Sequence, residues 1–237
     1  MATIRLFVSN SLRGVLGELI PPFERASGHT VSISYDPAKV MMERIARGET
    51  ADLAILGGSA IEDLIRDGKV APGSKRKIAS CGVGIAVLAG APKPDIGTVD
   101  AFKNALLAAK SIAWTQEGAS GIYFTKLIER LGIAVPVQAK AVRKPGGLIG
   151  ELVAARKAEL AVQQIPELMA VPGIELVGPL PREIQMTTVS VAGIFAGASQ
   201  PAASQALIDF LSTPASSRVF KARGLEPANT GRIKAGG

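Results

Sequence analysis

The sequence predicts an α/β protein of two lobes, each a mostly parallel sheet flanked by helices, with two hinge strands between them. Three observations predict it. Three strand–loop–helix units follow one another in the first third of the chain, and that alternation builds parallel, doubly wound sheets. A second set of α/β elements lies between residues 99 and 163. Two long apolar runs, Ile78 to Leu88 and Thr187 to Phe195, bracket that set and read as crossing strands. Lobe 1 is expected to hold residues 1–80 plus 190–237, and lobe 2 residues 81–189.

The elements follow in order. Ile4 to Val8 reads as a strand, and Ser9-Asn10-Ser11 as a turn of good N-cap residues. Leu12, Val15, Leu16, Leu19, Ile20 and Phe23 then fall on one helical face, closed by Gly28. Val31 to Tyr35 alternates as a second strand, completing a βαβ unit of right-handed connection. Asp36 to Lys39 forms a turn, and a short helix around Val40, Met41 and Ile45 ends at Gly48. Ala51 to Leu56 is the third strand, Gly57-Gly58-Ser59 a tight loop, and Ala60 to Arg66 a helix. The second set comprises helix 99–109, strand 111–114, helix 122–131, strand 137–142, helix 148–156 and strand 159–163. Two helices, about 202–211 and 215–222, follow the second crossing strand. The Gly/Ala tail at 235–237 is expected to fray.

Composition narrows the function classes. The chain has 237 residues, 47% hydrophobic and 20% charged, so it can bury a sizeable core. Its net charge of +7 is compatible with an anionic partner. The basic residues are scattered, and with seven Phe, two Tyr and one Trp there is little to stack bases on. Nucleic-acid binding is therefore not expected. A single cysteine, Cys81, permits no intrachain disulfide and reads as a buried thiol. A single histidine, His29, cannot make a metal cluster, so no metal, no cofactor and no catalytic set is expected. No run approaches ~20 apolar residues, so membrane insertion is not expected. Met1 leads straight into a strand without a signal peptide. As it stands the sequence reads as cytoplasmic, or as periplasmic if a leader has been removed, and the protein as a monomer.

The loops carry the functional signal. Ligands of open parallel sheets bind beyond the carboxyl ends of the strands. Those ends hold Ser9-Asn10-Ser11, Asp36 to Lys39, Gly57-Gly58-Ser59, Glu117 to Gly121, Pro145-Gly146-Gly147 and Gln163-Gln164. Small residues let a backbone approach a ligand, and helix starts offer N–H groups and a positive dipole end to an anion. Capping alone also makes such loops Gly- and Ser-rich. Gly57-Gly58-Ser59 is no Walker loop, because no Gly-Lys-Ser/Thr follows, and no dinucleotide fingerprint is complete. The candidate ligand-binding residues are Ser9, Asn10, Ser11, Ala38, Lys39, Gly58, Ser59, Ala119, Ser120, Gly121, Gly147 and Gln164. Arg13, Arg143 and Lys144 are further nearby cations, and Asp36 and Glu117 the only acids among these loops. Tyr123 reads as packed on its helix.

The segments Val8-Ser9-Asn10-Ser11-Leu12, Ile45-Ala46-Arg47-Gly48-Glu49-Thr50-Ala51-Asp52-Leu53 and Ala119-Ser120-Gly121-Ile122-Tyr123 resemble the molybdate-type solute-binding proteins of ABC transporters. Gly150-Glu151-Leu152-Val153, Leu211-Ser212-Thr213-Pro214 and Phe220 to Leu225 extend the resemblance over most of the chain. It implies a type II periplasmic-binding fold that closes on a ligand, an anion-binding role for Ser11, Ala119 and Ser120, and an ABC permease as partner. The chain departs from that pattern at Asp36-Pro37-Ala38-Lys39, in place of a Ser-rich turn, and at Gln164, in place of a Tyr. The leading reading is a binding protein for a small anion, oxyanion or carboxylate. The alternative is an enzyme on the same scaffold, similar to aconitate isomerase, with Asp36, Glu117 or Lys39 as the base. A third is a ligand sensor, for which the lack of a helix-turn-helix before the first strand counts against direct DNA binding.

Overall fold

The structure is a computed structural model and describes residues 1–228. In chain order it runs β1 (Thr3–Ser9), a 3-10 turn (Asn10–Leu12), α1 (Arg13–Ser27), β2 (Thr30–Asp36), α2 (Ala38–Ala46), β3 (Leu53–Gly57), α3 (Gly58–Arg66), β4 (Arg76–Leu88), α4 (Val99–Ala108), β5 (Ile112–Thr115), α5 (Ala119–Arg130), α6 (Ala134–Gln138), β6 (Ala141–Lys144), α7 (Gly150–Ala154), β7 (Leu160–Gln164), α8 (Ile165–Met169), β8 (Ile174–Pro179), β9 (Thr187–Ile194), α9 (Pro201–Leu211), α10 (Pro214–Ala222) and β10 (Glu226–Pro227).

The strands divide into two parallel groups. β1 pairs in parallel with β2 and with β3. β5 pairs in parallel with β6 and with β7. The long apolar runs read as crossing strands are β4 and β9, antiparallel to their neighbours, and they make the sheet continuous in the order β2-β1-β3-β9-β4-β7-β5-β6. β4 changes partners midway: Arg76 to Gly82 pairs with β9, and Val83 to Ala86 pairs with β7. Gln185 clamps the changeover. Its Oε1 accepts from the Val83 N–H at 2.8 Å and its Nε2 donates to the Val83 carbonyl at 2.9 Å.

Apolar burial follows the same division. One pair of clusters joins β1–β3, α1–α3, Cys81, β9 and the terminal helices, around Leu6, Leu16, Ile55 and Phe220. The other pair runs from Val83 to Ile184 around Ile85, Phe102, Trp114 and Phe124. At ~1.5–3 kcal/mol for each large side chain fully buried, these clusters are the main stabilising term in each half. Cys81 is a buried free thiol, pushed up to about 12 by burial, with the charge of Glu167 adding to the shift.

One polar group is buried among them for a structural reason. Asp52 is fully buried and accepts from the N–H groups of Arg5, Ser199 and Gln200 and from the Ser199 hydroxyl, at 2.8–3.1 Å. Burial alone pushes its carboxyl up, but these hydrogen bonds outweigh it and hold the group below the usual range. Asp52 thus ties β1 to the start of α9. Asp52→Ala strands several buried donors and is expected to cost about 3–5 kcal/mol, read as a lower denaturation midpoint.

Two sequence expectations need correction. The strand expected over 137–142 is instead α6 followed by β6, and Val137 is buried as a helix residue. Its β-branched neighbours imitate a strand, whereas Pro136 is tolerated in a first helical turn. The helix expected over 148–156 is only Gly150–Ala154. Residues 235–237 and the end of the expected first lobe lie outside the described residues.

Candidate functional site

The carboxyl ends of β1, β3, β5 and β7 open into one cleft of about 710 Å³. At each end the chain turns directly into a helix or helical turn. β1 leads into Asn10–Leu12, β3 into α3, β5 through a short loop into α5, and β7 into α8. Pro37 and Ala38, at the start of α2, also line the cleft.

Apart from the start of α8, where Glu167 stands in the first turn, these starts are not sealed by the chain itself. The starts of α2, α3 and α5 and the Asn10–Leu12 turn have no side-chain cap, and no acid stands in their first turns. Away from the cleft, the Thr98 and Thr213 hydroxyls cap α4 and α10. Orphan N–H groups at a helix start need a partner. At the cleft they and the positive dipole ends face the cavity.

The start of α5 is built most tightly. Its N-cap is Gly118, which leaves Ser120 inside the first turn rather than at the cap. A Cβ at Gly121 would lie 1.8 Å from the Thr115 carbonyl oxygen, and one at Gly118 would lie 2.4 Å from the Thr115 hydroxyl. Only glycine at both positions lets the helix start this close to the strand end. Trp114 Nε1 donates to the Thr125 hydroxyl at 3.2 Å, which donates to the Gly121 carbonyl at 3.0 Å, locking helix to strand. Thr115 is among the cleft-lining residues, and its buried hydroxyl has no hydrogen-bond partner among the described residues. Such orphans call for an explanation, and a ligand oxygen here supplies one.

Other polar groups complete the lining. Ser11 and Ser120 are buried, and the Ser9 and Ser11 hydroxyls lie 3.4 Å apart. Gln164 donates to the Thr188 hydroxyl at 2.9 Å, which ties β7 to β9. Gln163 donates to the Gly147 carbonyl and accepts from the Ile149 N–H, each at 2.8 Å, fixing the 145–149 loop. Gly147 holds a φ of +82°, which glycine adopts freely.

Of the twelve candidates, the cleft brings together Ser9, Asn10, Ser11, Ala38, Gly58, Ser59, Ala119, Ser120, Gly147 and Gln164. Lys39 and Gly121 are not among its lining residues. Lys39 is exposed on α2, and Gly121 is packed behind the lining against Thr115. The other cations expected nearby are engaged elsewhere. Arg13 lies over the Tyr35 ring at 4.1 Å, Arg143 over Trp114 at 4.7 Å, and Lys144 pairs with Glu151 at 3.0 Å. Asp36 pairs with Arg44, and Glu117 does not line the cleft. Tyr123 is packed as expected, donating to the Ile184 carbonyl at 2.7 Å.

Sequence reasoning missed Thr115, Lys75, Lys77, Thr187, Thr188, Glu62 and Glu167, while Gln163, read as a strand-end residue, also lines the cleft. Thr115 closes a strand facing the Gly118 loop, a usable signal. Lys77, Thr187 and Thr188 enter from the crossing strands, Lys75 from just before β4, Glu62 from α3 and Glu167 from α8, where local sequence carries no sign of the cleft. Lys75 pairs with Glu62 at 2.6 Å, whereas Lys77 has no ion-pair partner among the described residues. No group of His, Cys, Asp and Glu suited to a metal occurs among those residues.

Parallel strand groups bridged by two antiparallel crossing strands, with helix starts turned into the cleft between, define a periplasmic-binding-type fold. The chain belongs to the bacterial extracellular solute-binding protein family, whose model matches residues 4–226. It is 33% identical to the aconitate isomerase of a Pseudomonas species over 96% of this chain and 88% of that protein. Its fold matches the periplasmic molybdate-binding protein of Azotobacter vinelandii with a TM-score of 0.78 at 19% identity, covering 94% of this chain and 98% of that one. It also matches the sulfate-binding protein of Mycobacterium tuberculosis, with a TM-score of 0.76 at 18% identity over 97% and 88% of the two chains. No helix among the described residues is long and apolar enough to cross a membrane.

Proposed function

We propose that this protein captures a small anion in the cleft between its two strand groups, a polycarboxylate rather than a simple oxyanion. The single observation that carries the anion is the convergence of uncapped, acid-free helix starts on one cleft, with the orphan Thr115 hydroxyl beside the start of α5. The polycarboxylate is supported by the aconitate isomerase relative and by Lys77, a cleft-lining cation with no ion-pair partner among the described residues. Capture closes the cleft by bending at Cys81–Val83, where β4 passes from β9 to β7, and at Val189–Val191, where β9 gains β3 as a second partner. Ser9, Asn10, Ser11, Ala38, Gly58, Ser59, Ala119, Ser120, Gly147 and Gln164 hold the anion through N–H groups, hydroxyls and an amide, without a metal. Family membership supports a periplasmic setting and an ABC permease as partner.

The relative named as an isomerase supports a second reading, in which the captured carboxylate is also isomerised by proton transfer. The acids proposed from sequence do not supply the base. Of the cleft's own acids, Glu62 is tied to Lys75, which leaves Glu167.

Ser11→Ala and Ser120→Ala test the capture site. A lost hydrogen bond to a charged group is worth ~1.5–3 kcal/mol, so each variant is expected to weaken binding by at least about tenfold in calorimetric titration. Unchanged affinity in both variants removes the proposed site.

A further inference from the structure

We infer that the cleft holds its anion beside one proton, carried by Glu167 as a neutral carboxyl group. This rests on the proposed anion site and specifies how that site meets negative charge. Glu167 is 9% exposed and lines the cleft with Ser11, Ser120 and Gln164. It sits on α8, which packs against β4, β7 and β8 from one strand group and against the Asn10–Leu12 turn and α1 from the other. The carboxyl therefore lies where the two halves meet.

Its surroundings are polar but supply no cation. On β7 the Gln164 N–H and the Gln163 side chain stand near it and favour its charged form. The first of these is the group that a capping box reaches back to, which explains why a Glu stands at this helix start. Gln163 is bonded onward to Gly147 and Ile149 at another edge of the cleft. From β4, Cys81 is the titratable neighbour, and its thiol stays neutral. Of the charged groups of α1 and β8, Arg25 is exposed in the last turn of α1, and the other four are engaged elsewhere. Arg13 lies over Tyr35, Glu18 pairs with Arg223, Glu24 accepts from the Val31 N–H, and Glu175 pairs with Lys93. The remaining charged groups at the cleft are Glu62, Lys75 and Lys77.

An ionised Glu167 would place a second negative charge beside the anion in a water-poor site, where repulsion is strong. A neutral carboxyl reverses the interaction, because its O–H donates a charge-assisted hydrogen bond to the anion. Burial already favours that form. It raises the Glu167 carboxyl to about 8, against the two groups that lower it. Near neutral pH the proton is in place before the ligand arrives. Above about pH 8 the free protein must take up a proton in order to bind.

The test is calorimetric titration with trans-aconitate and with sulfate between about pH 6 and pH 9.5, in two buffers of different ionisation enthalpy. Below about pH 8 the affinity is expected to stay level. Above it, affinity is expected to fall by up to about tenfold per pH unit, with proton uptake approaching one per anion. Glu167→Gln cannot titrate, so whatever its affinity at neutral pH it is expected to lose this fall. The wild-type proton count needs no variant and stands if Glu167→Gln fails to fold. Binding with no proton uptake at about pH 9 overturns the inference, as does an undiminished pH dependence in Glu167→Gln. If neither probe binds at pH 6, the anion reading itself fails and takes this inference with it.

Discussion

Gly121→Ala is expected to abolish anion binding. The added methyl would lie 1.8 Å from the Thr115 carbonyl oxygen and 2.7 Å from its carbonyl carbon, and both are backbone atoms. Neither can swing aside as a long side chain can, so the start of α5 must move off the end of β5. That movement displaces Ser120 and the free N–H groups of the first turn together. Overpacking of this kind costs ~1–3 kcal/mol of stability. The binding loss exceeds what one lost hydroxyl causes, because several donors are moved at once. Gly17 on α1 supplies the contrast. Nothing lies within 4 Å of a Cβ placed there, so Gly17→Ala should stabilise the helix by ~0.5–1 kcal/mol and leave binding unchanged. Calorimetric titration and urea denaturation of the two variants read both effects. Wild-type affinity in Gly121→Ala would show that the close approach of α5 to β5 does not make the site.

Stability should fall as pH rises from about 4.5 to about 8, and Glu167→Gln should remove most of that fall. The carboxyl is raised from 4.5 to about 8 by burial. Between those values the folded protein keeps the proton and the unfolded chain has lost it. Folding then binds a proton, and a folded state that holds more protons loses stability with rising pH. At 1.36 kcal/mol per pKa unit the integrated effect is at most about 5 kcal/mol. Asp52 acts with the opposite sign. Its carboxyl is held low, so its contribution is present above the unfolded value and is lost only as pH falls into the acid range. The two groups therefore act in different windows. Urea midpoints at several pH values, for wild type and Glu167→Gln, separate them. A flat wild-type profile over this window would mean that Glu167 is ionised in the folded protein.

The architecture was legible because its signals are local. Alternation of strand and helix marked the parallel groups, and the two long apolar runs marked β4 and β9. The cleft lining was legible where strand ends are small and polar, as at Ser9 to Ser11, Gly58-Ser59 and Ala119-Ser120. Charged side chains were misread at the same ends. Lys39 sits in a cleft-lining loop by sequence, but on α2 it points to solvent while Ala38 lines the cavity. One helical position is ~100° of rotation, and no loop composition reports it. Asp52, inside the most specific part of the family resemblance, proves to be a structural tie rather than a ligand contact. Glu167 stayed invisible because it reaches the cleft only through the way α8 packs against both halves. Val137 was misassigned for the related reason that a short helix of β-branched residues has a strand's composition.

The most direct test is a titration of isotope-labelled protein with trans-aconitate, molybdate and sulfate, followed through the backbone amide resonances. The account predicts saturable shifts at Ser11, Gly58, Ser59, Ala119 and Ser120, largest at the start of α5, and strongest for the polycarboxylate. Shifts confined to residues outside the cleft, or none at saturating anion, would contradict the claim that this protein holds an anion between its helix starts.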